Sequence, residues 1–166
     1  MQFRFNPVRS VFRFFRFIGT LVILILLFFL VSNKKIPNAD IIFGVLLASQ
    51  IPAIIIFIQY FINDYKSEFF FEKPNNSLRY IKGKKSYTYT IEQIKKIQIV
   101  ATASRLKKEG IPLFIKDDFF YYKIYFDDEK SIIVTSLLLN GKLINAVNFN
   151  NINFEKHTKF FPFFVD

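Results

Sequence analysis

The sequence predicts an α+β membrane protein: a two-helix transmembrane hairpin followed by a small antiparallel β barrel or sandwich with a carboxy-terminal helix. Three observations lead there. Two long apolar runs lie close together near the amino terminus. From Tyr65 onward the pattern changes to short β-rich segments split by turn residues. No long helical pattern separates those segments, which argues against a parallel α/β sheet.

The first apolar run, Phe17 to Val31, contains no charged residue. At 1.5 Å per residue it reaches roughly 23 Å, short of a hydrocarbon core of about 30 Å. Phe14 and Phe15 extend it, and Arg13 and Arg16 can snorkel to the headgroups. Taken alone it also fits a signal-peptide core. Two features argue for retention. The run ends "LVSNKK" without a small-x-small cleavage site, and a second run, Ile41 to Ile62, follows at once. The second run is about 33 Å long as a helix and spans by itself. The polar link "SNKKIPNAD" suits a tight helical turn.

Positive charge sets the expected orientation. Arg4, Arg9, Arg13 and Arg16 precede the first span, and Lys66, Lys73, Arg79, Lys82, Lys84 and Lys85 follow the second. Both ends are expected in the cytoplasm. The expected division is a basic segment 1–16, a hairpin 17–62 with spans at 17–32 and 41–62, and a cytoplasmic β domain at 65–166.

Within the second span, Gly44 and Ala48 stand four apart, a spacing that lets helix backbones approach closely and that ordinary lipid-facing helices also show. Pro52 is expected to kink the helix. Gln50 sits near mid-span, where its amide is expected to face another helix, and Gln59 poses the same problem of satisfaction.

Six strand candidates follow: "KSEFFFEK", "SLRYI", "SYTYTI", "IKKIQIVATAS", "FFYYKIYF" and "SIIVTSLLL". "SYTYTI" alternates Tyr with small polar residues, the period of a half-buried strand. "PNN", "KGKK" and "DDEK" supply turns, and "RLKKEGIPLFIKDD" reads as a long polar loop. "GKLINAVNF" places Leu143, Ile144 and Val147 on one helical face before an Asn- and Phe-rich tail.

The short helical hairpin, the Phe/Tyr-rich first strand, "YTIEQIKKIQ" and the hairpin ending "IIVTSLLL" together resemble bacterial membrane-anchored proteins with a pleckstrin-homology-like (PH-like) domain. That resemblance implies a bent antiparallel sheet plugged by a carboxy-terminal helix, with no catalytic residues to carry over.

No residue pattern argues for catalysis. The single histidine, His157, lies between lysines and reads as a surface residue; Asp127, Asp128 and Glu129 read as a solvated turn. There is no nucleophile elbow and no Walker loop. The chain has no Cys, which excludes disulfides and thiolate metal sites, and no cofactor is expected. The net charge of +10 points instead to an anionic partner. In a meander that starts at the bilayer, alternate turns share an end. Lys82, Lys84, Lys85, Arg105, Lys107 and Lys108 are therefore expected on one membrane-proximal rim that meets anionic headgroups or an acidic partner. The aromatics alternate as core strands do, which argues against nucleic acid. The expected function is a non-enzymatic adaptor or accessory subunit of a membrane complex in the bacterial cytoplasmic membrane. The alternative is a lipid-headgroup module without an obligatory protein partner.

Overall fold

A computed structural model describes residues 2–32, 38–48, 50–72, 76–107, 118–139 and 152–164. The chain opens with a three-residue strand, β1 (Gln2–Arg4), and then departs into helices: α1 (Pro7–Ser32), α2 (Ala39–Ala48) and α3 (Ile51–Asp64). It returns as β2 (Ser67–Glu72), β3 (Ser77–Lys82) and β4 (Lys85–Thr90), passes a 3-10 turn at Ile91–Gln93, and continues as β5 (Ile94–Ala101). A short α4 (Ala103–Lys107), β6 (Phe120–Phe126), β7 (Ser131–Thr135) and β8 (Asn153–Thr158) complete the described elements.

Two four-stranded sheets form, in the orders β1-β2-β3-β4 and β7-β6-β5-β8. β1 pairs antiparallel with β2, with Phe3 opposite Phe69. The helices are therefore an excursion between two neighbouring strands of one sheet, and the sheet is incomplete without residues ahead of them. Phe3 and Phe5 are both buried. Each buried Phe side chain is worth about 1.5–3 kcal/mol, enough to hold so short a strand in place.

All six strand candidates are present, but the expected organisation needs three corrections. Residues 2–4 of the basic amino-terminal segment form a strand, and the first helix starts at Pro7, ahead of Phe17. The sheets are not wholly antiparallel, because β8 runs parallel to β5. The stretch 94–104 ends as a strand at Ala101 and turns into α4. The helix expected over "GKLINAVNF" lies outside the described residues.

The second apolar run tightens locally around Gln50–Ala53. Pro52 stands in the first turn of α3 with Gln50 as its N-cap. Pro has no N–H to donate, so the ladder tightens here. Gln50 N–H bonds to Leu47 O at 3.0 Å and Ala53 N–H to Gln50 O at 3.1 Å, both one residue shorter than the α pattern. α1 and α2 pack together, with Phe28 edge-on to Phe43 at 5.4 Å, and Phe14 stacks on Phe57 at 4.8 Å. The second contact joins α1 to α3, so the helices form an antiparallel arm.

α3 has two distinct faces. Ala53, Ile56, Tyr60 and Asp64 recur at helical spacing and are buried against the sheets. Ile51, Ile55, Ile58 and Ile62 lie on another face and are about half exposed or more, between 49% and 69%. The lower half of the run Ile41–Ile62 is thus a core helix of the β domain on one side.

Candidate functional site at the root of the helical arm

Asn63 and Asp64, the last two residues of α3, join the arm to both sheets. Asn63 Nδ2 donates to Ile133 O at 3.3 Å and to Asp64 Oδ1 at 3.0 Å, while its Oδ1 accepts from Lys82 Nζ at 3.1 Å. Asp64 is fully buried. Its Oδ2 accepts from the Thr135 hydroxyl and from Leu138 N–H, the latter at 2.9 Å. A buried carboxylate is tolerated only when hydrogen-bonded in this way. Ser67 closes the joint: its hydroxyl lies 3.3 Å from Asn63 O and 3.4 Å from the Tyr80 hydroxyl.

The β3–β4 turn meets the same joint, because Gly83 N–H bonds to Lys66 O at 3.0 Å. Gly83 has φ 60°, a conformation that glycine adopts without steric cost. Lys82, Lys84 and Lys85 surround this turn and are exposed. Ala101, at the end of β5, lies opposite Phe120, whose neighbour Phe119 packs edge-on against Tyr60 at 5.6 Å. The chain enters α4 from that end. The guanidinium of Arg105 lies 5.3 Å from the centre of the Phe120 ring, so this side chain packs along the sheet. Lys107 is the last residue of α4, and Lys108 falls outside the described residues. The acidic turn Asp127–Glu129 is at the other end of β5 and β6 from Ala101, where Asp127 N–H bonds to Gln93 O at 3.0 Å.

The helix-packing candidates fall elsewhere. A side chain at Gly44 would meet nothing within 4 Å, and Ala48 is exposed. Among the described side chains, Phe43 of α2 meets Phe28 of α1. Gln50 Nε2 donates to Leu46 O at 3.5 Å, so its amide is met at least partly within its own helical run. Gln59 is met from the carboxy-terminal tail. His157 is exposed on β8, 3.4 Å from Glu155.

A cleft of about 440 Å³ opens beside the joint, between the β4 edge of one sheet and the β7 edge of the other. Lys82, Lys123 and Lys130 reach it from three elements, and Tyr80, Tyr87 and Tyr89 line its other wall. Desolvation by burial raises the Tyr80 phenol, as it does Tyr89, so both remain neutral donors at physiological pH. Lys130 Nζ pairs with Asp128 at 2.7 Å; that hydrogen bond lowers the carboxyl and raises the ammonium, keeping both charged. Lys123 lies over the Tyr125 ring at 5.3 Å. Sequence reading missed Lys123 and Lys130. The single cation inside "FFYYKIYF" was a signal that this strand shows one polar position, but the cleft needs a second sheet to exist.

A two-sheet β domain with an arm rooted between its first two strands defines the class. The chain matches the PH domain family over residues 2–146 and belongs to it. The match starts at β1, so the arm lies inside the domain and does not merely precede it. Neither a curated protein nor a solved structure matches this chain.

Proposed function

We propose that this PH-domain protein is a non-enzymatic integral membrane protein of the bacterial cytoplasmic membrane, an adaptor or accessory subunit whose arm crosses the bilayer. The observation that carries the reading is the apolar surface of the arm. Phe12, Phe29, Leu30 and Val45 are each 59–67% exposed, and the isoleucine stripe of α3 is 49–69% exposed. Contiguous apolar surface of this extent marks a membrane or protein contact. α1 has 26 residues, of which the charge-free part, Phe17 to Val31, reaches roughly 23 Å of a hydrocarbon core of about 30 Å. Among the described residues, Phe43–Asp64 is long and apolar enough to cross a membrane by length and composition, but its half from Ala53 onward packs one face on the sheets, so the part of the arm above Pro52 is the part offered to the bilayer.

Because β1 and β2 are neighbours, both feet of the arm stand on one side and its tip on the other. The flanking arginines and lysines support a cytoplasmic side for the feet. Single cysteines at Asn38, Thr88 and Glu129, each exposed, test this. Only position 38 should react with an impermeant maleimide from outside intact cells. Reaction at 88 or 129 would reverse the topology, and no difference among the three would remove the membrane reading. Stoichiometric recovery of a membrane protein after mild-detergent purification tests the adaptor role.

The cleft favours a second reading, an anionic headgroup held by Lys82, Lys123 and Lys130. Each such lysine contributes about 1 kcal/mol near an anionic surface. Reversing Lys82 and Lys123 together in the full chain should weaken binding of glycerol 3-phosphate by about thirtyfold or more, less at high salt. Unchanged binding removes this reading.

A further inference from the structure

The family match stops at residue 146, and the chain beyond it makes an attachment of its own. β8 adds to the edge of β5, and Lys159 N–H bonds to Ala101 O at 2.9 Å. The chain then bends, and Phe161–Phe164 runs between α3 and β6. Gln59 meets Phe164 with both ends of its amide: Nε2 donates to Phe164 O at 3.4 Å, and Oε1 accepts from Phe164 N–H at 3.1 Å. The Tyr60 hydroxyl donates to Pro162 O at 2.8 Å, and the Tyr121 hydroxyl to Phe163 O at 3.4 Å.

Three side chains therefore bond to the main chain of three consecutive residues. Main-chain recognition tolerates many sequences. Phe161 and Phe163 also pack on the core, and the best-defined side-chain slot is where the Phe164 ring stacks on Tyr60 at 4.9 Å and 7° and stands edge-on to Tyr121 at 5.0 Å and 89°. Pro162 is buried beside them. Main-chain hydrogen bonds for affinity with a side-chain slot for specificity is how grooves bind extended peptides. Residues 162–164 lie outside both sheets, so these side chains, and not a strand ladder, meet their main-chain groups.

We propose that the groove between α3 and β6 is a peptide-recognition site, filled in cis by Phe161–Phe164. Its occupant in trans is an extended partner segment carrying a phenylalanine two residues after a proline. The tail itself shows this chemistry. A tethered segment acts at an effective concentration in the millimolar range, so the cis tail keeps the site closed to weak competitors. A partner tethered beside the arm in the same membrane competes on equal terms. The existence of that partner rests on the adaptor reading; the groove does not, and a peptide titration separates the two.

A chain ending at Lys159, purified in neutral detergent, should bind a fluorescent peptide of residues 159–166 with one-to-one stoichiometry. The full chain should bind it at least tenfold more weakly, because the cis tail competes. Gln59→Leu in the shortened chain, or Phe164→Ala in the peptide, should each reduce binding at least tenfold. If the shortened chain does not fold, Phe164→Ala in the full chain serves instead. It empties the ring slot while leaving β8 intact, and the peptide should then bind more tightly than to the unaltered chain. A folded shortened chain that ignores the peptide overturns the proposal. So does a Phe164→Ala chain that binds no better than the parent, or a peptide indifferent to its phenylalanine.

Discussion

Tyr60→Ala should lower unfolding stability by about 3–5 kcal/mol, the cost of removing a large aromatic from a packed core. The ring touches Phe119, Tyr121 and Phe164 at centroid distances of 5.6, 6.2 and 4.9 Å, so three neighbours lose a face at once. Tyr60→Phe keeps those contacts and loses only the bond to Pro162 O, about 0.5–1.5 kcal/mol. Ile62→Ala, two residues on and 69% exposed, should stay within about 0.5 kcal/mol in detergent. Urea unfolding of the full chain in neutral detergent, followed by circular dichroism, ranks the three. Equal losses at 60 and 62 would mean that α3 is surrounded evenly and is not a core helix of the β domain.

That two-faced helix also marks where the sequence stopped being legible. The six central strands follow from alternation and turn chemistry, as in "SYTYTI" with half-buried Tyr87 and Tyr89. In α3 every residue from Ile54 to Ile58 is apolar, so the sequence shows no periodicity to separate a lipid face from a core face. β1 is three residues long and ends in arginine, too short for a period of two to be visible. β8, "NFEKHT", has one large apolar residue and is placed by its parallel pairing with β5. The basic turn at Lys82–Lys85 was readable as a run of charge. The cleft and the tail groove were not, because each joins residues more than forty positions apart, such as Lys82 with Lys123 and Gln59 with Phe164. Gln59 did carry a signal: an amide in an apolar helix demands a partner, and the tail main chain supplies it.

Removing the carboxyl at the root of the arm should be comparably costly. Asp64→Ala strands the Thr135 hydroxyl, Leu138 N–H and one bond of the Asn63 amide. Each buried donor left without an acceptor costs about 1–3 kcal/mol, so a total near 3–5 kcal/mol is expected. Asp64→Asn retains one acceptor oxygen and should lose about half as much. Thr135→Val removes the hydroxyl, which also accepts from Leu137 N–H at 3.1 Å. If α3 and β7 are held together through this contact, the two substitutions will not add. The double-mutant cycle between Asp64→Asn and Thr135→Val should then give a coupling of about 0.5–3 kcal/mol. The same variants bear on transmission between arm and cleft, because Asn63 bonds Lys82 on one side and Ile133 on the other. Weakening the joint should therefore slacken the Lys82 wall of the cleft and raise hydrogen exchange in β3 and β7 together. Exchange that rises in β7 alone would confine Asp64 to anchoring one strand, and the cleft would be independent of the arm.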